Sequence, residues 1–394
     1  MRRGLLATVA ATTGVALPVF LVGALAVQIR AGLRFDSARL GEAVAAYFAV
    51  SAACSIPFGR LTETVGGVRV MRASALGAAL VMVVMAVAVT GWWELTVALG
   101  CAGVTSSAAQ PAANQYISKT VALNRQGTAF GIKQSAVPLA SLLGGLAVPT
   151  IGLTVGWRWA FVGAAALAAL AALALPAPAQ TLSQRRAAQA EAPVAHPRGG
   201  AELAVFAAAF AVGLLATSTL GTFLVTSAVS SGIAKAAAGF LAAGASALGV
   251  VSRLLVGVLA DRRGGRHFPT VAAMLTVGAA GYGLLAAGTG TATAALFVPG
   301  ALIAYAAGWG WNGLFNFAVV RTHPGSPASA TAVTQTGGRL GSVAGPLLFG
   351  LVVQHGSYQL AWALDALAAL LAAGGMLLGR SILLRQRRAE PLPT

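Results

Sequence analysis

Stretches apolar enough to cross a bilayer recur along the whole of this 394-residue chain, and they constrain its fold more than any other feature. Lipid offers no partner to a backbone N–H or C=O, so a crossing segment must satisfy those groups within itself, as an α-helix does. About 18 apolar residues suffice. Twelve spans are predicted, over about 5–29, 39–61, 68–90, 92–117, 127–150, 157–176, 202–229, 235–260, 268–288, 291–319, 328–353 and 358–380. Composition agrees, with 57% of residues apolar and 9% charged, against about 25% charged in soluble domains. The expected fold is an all-α, multi-pass membrane protein. The first segment, MRRGLLATVAATTGVALPVFLVGALAVQ, imitates a secretory signal, but its apolar run outlasts the roughly 7–15 residues of a signal core. A matching segment recurs in the second half, and the first is read as a span.

Between the sixth and seventh spans lies PAPAQTLSQRRAAQAEAPVAHPRGG, without apolar periodicity. It reads as a flexible connection. The expected organisation is a six-span bundle over 1–176, a cytoplasmic linker over 177–201, and a second six-span bundle over 202–394 ending in a short basic tail. Cys54 and Cys101 fall in apolar runs, and no CxxC or His/Cys cluster suggests a metal site or a disulfide. His196, His267, His323 and His355 lie in or near polar connections. The chain has no Walker sequence, HExxH or nucleophile elbow. It is therefore not expected to be an enzyme or a receptor, nor to use a cofactor.

The net charge of +17 has a membrane explanation, so nucleic acid is not an expected partner. Lysine and arginine concentrate in cytoplasmic loops. With the N-terminus inside, 18 of the 26 lysines and arginines fall on the inner side. Arg30, Arg34, Arg39, Arg158 and Lys235 fall outside, and Lys133, Arg253 and Arg339 lie within the membrane. Both termini are thus predicted to be cytoplasmic. Trp92, Trp93, Trp157 and Trp159 sit at span ends and read as interface anchors.

The two halves repeat. FGRLTETVGGVRV (58–70) aligns with VGVLADRRGGRHF (256–268), so that Gly59, Leu61, Glu63, Gly66 and Gly67 fall on Gly257, Leu259, Asp261, Gly264 and Gly265. A second match sets GTAFGIKQSAVPLASLLG (127–144) against ASATAVTQTGGRLGSVAG (328–345), with Gln134 on Gln335 and Ser141 on Ser342. Tandem six-helix halves are a common transporter plan, with the solute bound near the midplane.

The loop GVLADRRGG (257–265) resembles the signature of the major facilitator superfamily between its eighth and ninth helices, G-x-L-x-D-R-x-G. Its weaker copy, GRLTETVGG (59–67), lies between the second and third, with Glu63 in place of Asp and Thr64 in place of the basic residue. The resemblance covers the whole chain and implies a fold of twelve transmembrane helices in two pseudo-symmetric bundles. It implies a gating role for Gly59, Glu63, Gly66, Gly257, Asp261, Arg262 and Gly264. Physically, Gly257 would let one helix approach another, Asp261 would accept from a helix N-terminus, and Gly264 and Gly265 would permit the turn.

In that superfamily the first, fourth, seventh and tenth helices line the cavity, flanked by the second, fifth, eighth and eleventh. Lys133, Arg253 and Arg339 fall on the fifth, eighth and eleventh. At 1.5 Å per residue they lie ~10, ~12 and ~18 Å from the cytoplasmic end. Lys133 is shallow enough to snorkel and is open to a gate role as well as to binding. SRLLVGVLADRRGG (252–265), with a cation in the eleventh helix, resembles the anion-handling branches: the oxalate/formate, monocarboxylate and cyanate-type carriers. There the cations bind the solute's negative charge, and by position Arg253 and Arg339 inherit that role. Arginine suits it because its planar fork grips carboxylate or oxyanion oxygens. Asp365, in the twelfth span, is the one carboxylate well inside a span; it is read as a structural partner, for Arg339 in particular.

The cavity helices add polar groups. Gln110 and Asn114 lie one turn apart on the fourth span. YAAGWGWNGLFNF on the tenth carries Tyr305, Trp309, Asn312 and Asn316, the last three on one face. An unpartnered amide in lipid is costly, so these join the expected solute site. Pro18, Pro111, Pro138 and Pro346 are candidates for kinks. The expectation is a secondary carrier for a small anionic solute, a carboxylate or small oxyanion, working by alternating access. Its partners would be the solute, the lipid bilayer, and a coupling proton or counter-transported anion, with a monomer in the cytoplasmic membrane. The alternative is a proton-coupled exporter of drugs or hydrophobic metabolites. Against it, the G-P-x-x-G-G run of such exporters is not matched at Pro138, which Gly144 and Gly145 follow too late.

Overall fold

A computed structural model describes residues 2–121, 129, 132–177, 200–262, 267–323 and 327–389. The side chains of residues 2, 259–262, 327–329 and 387–389 are outside that description. Every regular element among the described residues is a helix. The first span is two helices, Arg2–Ala24 and Ala26–Leu33, broken at Leu25. Ser37–Val65, Gly67–Val87 and Trp92–Thr120 follow. The fifth span holds Ala136–Ala147 and ends in a wide, π-type turn, Val148–Gly152. Trp157–Ala174 is the sixth. Ala201–Ser230, Lys235–Arg262 and His267–Gly290 are the seventh to ninth. The tenth is interrupted: Ala294–Ile303 runs into a π-type segment, Ala304–Gly308, and resumes as Asn312–Thr322. Pro327–His355 and Tyr358–Ala389 complete the chain.

Among the described residues, 11 helices are long and apolar enough to cross a membrane, which makes the chain a multi-pass membrane protein. Trp92–Thr120 falls short of that measure despite its 29 residues. Thr105, Ser106, Ser107, Gln110 and Asn114 dilute its apolar content, as a helix facing polar surroundings tolerates and one facing lipid does not. The predicted linker falls largely on residues 178–199, outside the described residues.

Two compact units form. One comprises Met1–Pro193 with Gly221–Ala247, the other Val194–Leu220 with Leu248–Thr394. The Gly221–Ala247 stretch of the seventh and eighth spans packs within the first unit through small residues. A Cβ on Gly239 would lie 2.8 Å from the Gly145 carbonyl oxygen, and the Ser246 and Ser141 hydroxyls bond at 2.8 Å. Such close approach replaces the hydrophobic effect as the glue between helices in lipid.

The core of the first unit is built on alanines, among them Ala11, Ala75, Ala78, Ala109 and Ala112. Its third and sixth spans cap each other. Arg72, in the first turns of Gly67–Val87, donates to the carbonyls of Ala172, Leu175 and Pro176. Arg158, at the start of the sixth span, donates to those of Ala86 and Val89. Each guanidinium thus meets the negative end of the other helix. The core of the second unit is aromatic: Phe206 stacks on Phe268 at 4.2 Å and Phe210 on Phe315 at 4.5 Å, with Trp311 edge-on.

Proline acts differently from expectation at one position. Pro138 sits in the first turn of Ala136–Ala147, where a missing N–H costs nothing. Pro57 and Pro299 join Pro18, Pro111 and Pro346 inside helices.

Candidate functional site

In the first unit, Lys133 is 3% exposed. Its ammonium does not snorkel: it donates to the Gln110 Oε1 of the fourth span, and to the neighbouring Gln134 Oε1 at 3.4 Å. Lys133 and Arg339 have no carboxylate within ion-pair distance among the described residues, where the one such pair is His323 with Glu202, 3.8 Å apart. Asn114, one turn beyond Gln110, is exposed and stands outside this cluster.

In the second unit the polar groups gather on the interruption of the tenth span. A π-type segment leaves carbonyls without their usual helical partners, and side chains take them up. Ser252 donates to the Ala306 oxygen at 2.5 Å. Arg253 donates to the Trp309 oxygen at 3.0 Å and lies over the Trp309 ring, 5.4 Å from its centre. Thr217 and the Trp311 indole reach the Gly308 oxygen at 3.0 and 2.9 Å. Tyr305 meets Trp309 edge-on at 5.0 Å. One turn further, Asn316 donates to Asn312 at 3.1 Å, and Gln335 of the eleventh span donates to Asn316 at 2.9 Å.

The predicted residues thus fall into three groups. Lys133 joins Gln110; Arg253 joins Trp309 and Tyr305; Asn312 and Asn316 join each other. Arg339 is exposed, on the face of the eleventh span turned away from the seam where Gly337 and Gly341 meet the backbone of Ala207 and Ala211. Asp365 is buried and bonds to Thr219, 2.6 Å away, rather than to Arg339. Ser252 is a member that sequence reasoning passed over, and Thr217 and Gln335 are ones it left outside the solute site. Gln335 was within reach, as the repeat mate of Gln134; the other two serve a backbone break that no residue pattern announces.

The loop motif has a clear physical role in its first copy. Gly66 has φ +96°, a conformation that other residues adopt only under strain. A Cβ on Gly67 would lie 2.7 Å from the Ala112 oxygen. Gln115, also missed from sequence, accepts from the Gly67 N–H at 2.5 Å and donates to the Thr62 oxygen at 3.2 Å. Glu63 is exposed. Among the described residues, nothing lies within 4 Å of a Cβ built on Gly59 or Gly257. The close helix approach expected at Gly257 is therefore corrected: no helix approaches it closely among the described residues. The side chains of Asp261 and Arg262, and all of Gly264, lie outside the described residues.

No curated protein matches the chain by sequence. Similar solved structures include a bacterial homologue of the human lysosomal transporter Spinster, inward-facing and occupied, at TM-score 0.76 and 16% identity, covering 99% of this chain and 98% of that one. Its unoccupied form is similar at TM-score 0.72 and 15% identity, with the same coverage. A variant of the nucleoside transporter NupG is similar at TM-score 0.72 and 15% identity, covering 96% of this chain and 99% of that one. At such identities the likeness is one of fold. The sequence model of the Major Facilitator Superfamily matches residues 4–346, and the chain belongs to that superfamily.

Proposed function

We propose that this secondary transporter moves a small anionic solute, a carboxylate or small oxyanion, by alternating access. The proposal includes twelve spans in pseudo-symmetric bundles over 1–176 and 202–394, both termini cytoplasmic, in the plasma membrane. One observation carries it: the ammonium of Lys133, buried at membrane depth, is met among the described residues only by the neutral amide oxygens of Gln110 and Gln134. A buried cation without a counter-charge is expensive, and a mobile anion relieves that cost each time it binds. Arg339, exposed on its unit, and Arg253, braced against Trp309, are the further cations of the site.

Uptake of a panel of labelled anions and neutral drugs into proteoliposomes tests this, with Arg253→Gln and Arg339→Gln beside wild type. Loss of a charge-assisted contact of about 1.5–3 kcal/mol lowers anion affinity roughly tenfold to a hundredfold. Unchanged anion transport in both variants removes the assignment.

A second reading, a proton-coupled exporter of drugs or hydrophobic metabolites, is favoured by the Tyr305–Trp309 pair beside the Asn312–Asn316–Gln335 amides. Aromatic faces and amides suit a neutral, ring-bearing solute. Transport of only neutral compounds by the same panel selects it.

A further inference from the structure

We propose that Asp365 is a proton-binding site of the second unit, and that its carboxyl carries the proton in the conformation described here. The proposal rests on the transporter reading but not on the charge of the solute. Asp365 is 3% exposed. Its Oδ2 stands 2.6 Å from the Thr219 Oγ1, and that same Oγ1 stands 2.6 Å from the Ala216 carbonyl oxygen. A carbonyl oxygen only accepts, and a threonine hydroxyl holds one proton. Two such short contacts on one hydroxyl call for two protons. Thr219 supplies one, to Ala216; the carboxyl supplies the other, to Thr219. An ionised Asp365 would instead compete with Ala216 for a single proton.

The surroundings favour the neutral form as well. No cation lies within ion-pair distance of Asp365 among the described residues. The seventh span presents Thr219, and the ninth presents Tyr282, which is within electrostatic reach of Asp365. The Tyr282 ring stacks on Trp362, one turn before Asp365, at 6.2 Å. The tenth presents Tyr305, within reach of Tyr282, and the eleventh leaves Arg339 exposed on this unit. An isolated carboxylate among such neutral groups pays a large desolvation penalty that a carboxylic acid avoids. The Tyr282 hydroxyl is buried near Thr217 without a hydrogen bond of full geometry. It also lies beside Gly308, 3.3 Å from where a Cβ would sit there. Protonation is thereby tied to the interruption of the tenth span that Arg253 and Trp309 share.

Infrared difference spectroscopy of the full chain in lipid, stepped from acidic to alkaline pH, tests the proposal through the carbonyl stretch of a buried carboxylic acid. The expected result is a band that disappears at alkaline pH, is missing from Asp365→Asn, and is shifted in Thr219→Val, where the carboxyl loses its acceptor. A wild type without the band, or the same band in Asp365→Asn, overturns the proposal. So does a band removed by sodium at fixed pH, which would assign the site to a metal cation. Should Asp365→Asn fail to fold, an unshifted band in Thr219→Val overturns it alone. The spectrum needs no solute, so its outcome is separate from that of the uptake panel.

Discussion

Lys133 and Gln110 show how one residue's environment separates stability from function. Lys133→Met puts an apolar chain of similar length in place of a buried cation. It is expected to leave the thermal midpoint in detergent unchanged or raised, because a buried charge seldom adds net stability. Gln110→Leu strands the ammonium and is expected to cost about 1.5–3 kcal/mol. Thermal melts of the two variants check this, and equal midpoints would mean that Gln110 does not hold Lys133. Gly66 offers a second test. With φ +96° and ψ 138°, Gly66→Ala is expected to cost roughly 1–3 kcal/mol, read as a lowered midpoint beside an unaffected Gly59→Ala, whose Cβ meets nothing.

At the scale of elements, the interruption of the tenth span is the feature around which the second unit's polar side chains are organised. Thr217→Val removes a hydroxyl from the Gly308 carbonyl and should cost about 1 kcal/mol. The loss should be local: hydrogen exchange should quicken over residues 304–311 and stay unchanged in the first unit. Exchange that rises uniformly would speak against a local brace. In the first unit, the fifth and eighth spans meet through Gly145, Gly239 and the Ser141–Ser246 bond. Alternating access requires some such contacts to part. A Ser141→Cys, Ser246→Cys pair is expected to cross-link under mild oxidation and to stop transport until reduced. Full activity in the cross-linked protein would make this seam a static one.

The whole molecule is a Major Facilitator Superfamily protein, and its charge asymmetry carries a prediction of its own. With Cys54 and Cys101 replaced, Ala188→Cys in the linker should react with a membrane-impermeant maleimide in inside-out vesicles and not in intact cells. Labelling of intact cells would reverse the orientation drawn from the lysines and arginines. Much of this scale was legible in the sequence. The apolar helices and the loop signature follow from local rules: length against bilayer thickness, and glycine against turn geometry. The helix Trp92–Thr120 was legible as well, although its polar content keeps it below the measure that 11 described helices meet.

The sequence by itself determined that the chain is a helical membrane protein, that its halves repeat, and which residues are costly to bury. A bilayer imposes those terms one residue at a time. Only the tertiary structure decided what each costly group touches. Lys133 finds Gln110 across 23 positions, Arg253 finds Trp309 across 56, and Thr219 finds Asp365 across 146. Composition set the shallow Lys133 free to reach water and gave Asp365 to Arg339; packing buried the first and left the second beside a hydroxyl. Partners so far apart in the chain are chosen by which helix faces meet, and in lipid that choice is made by small-residue contacts and broken helices rather than by the apolar pattern.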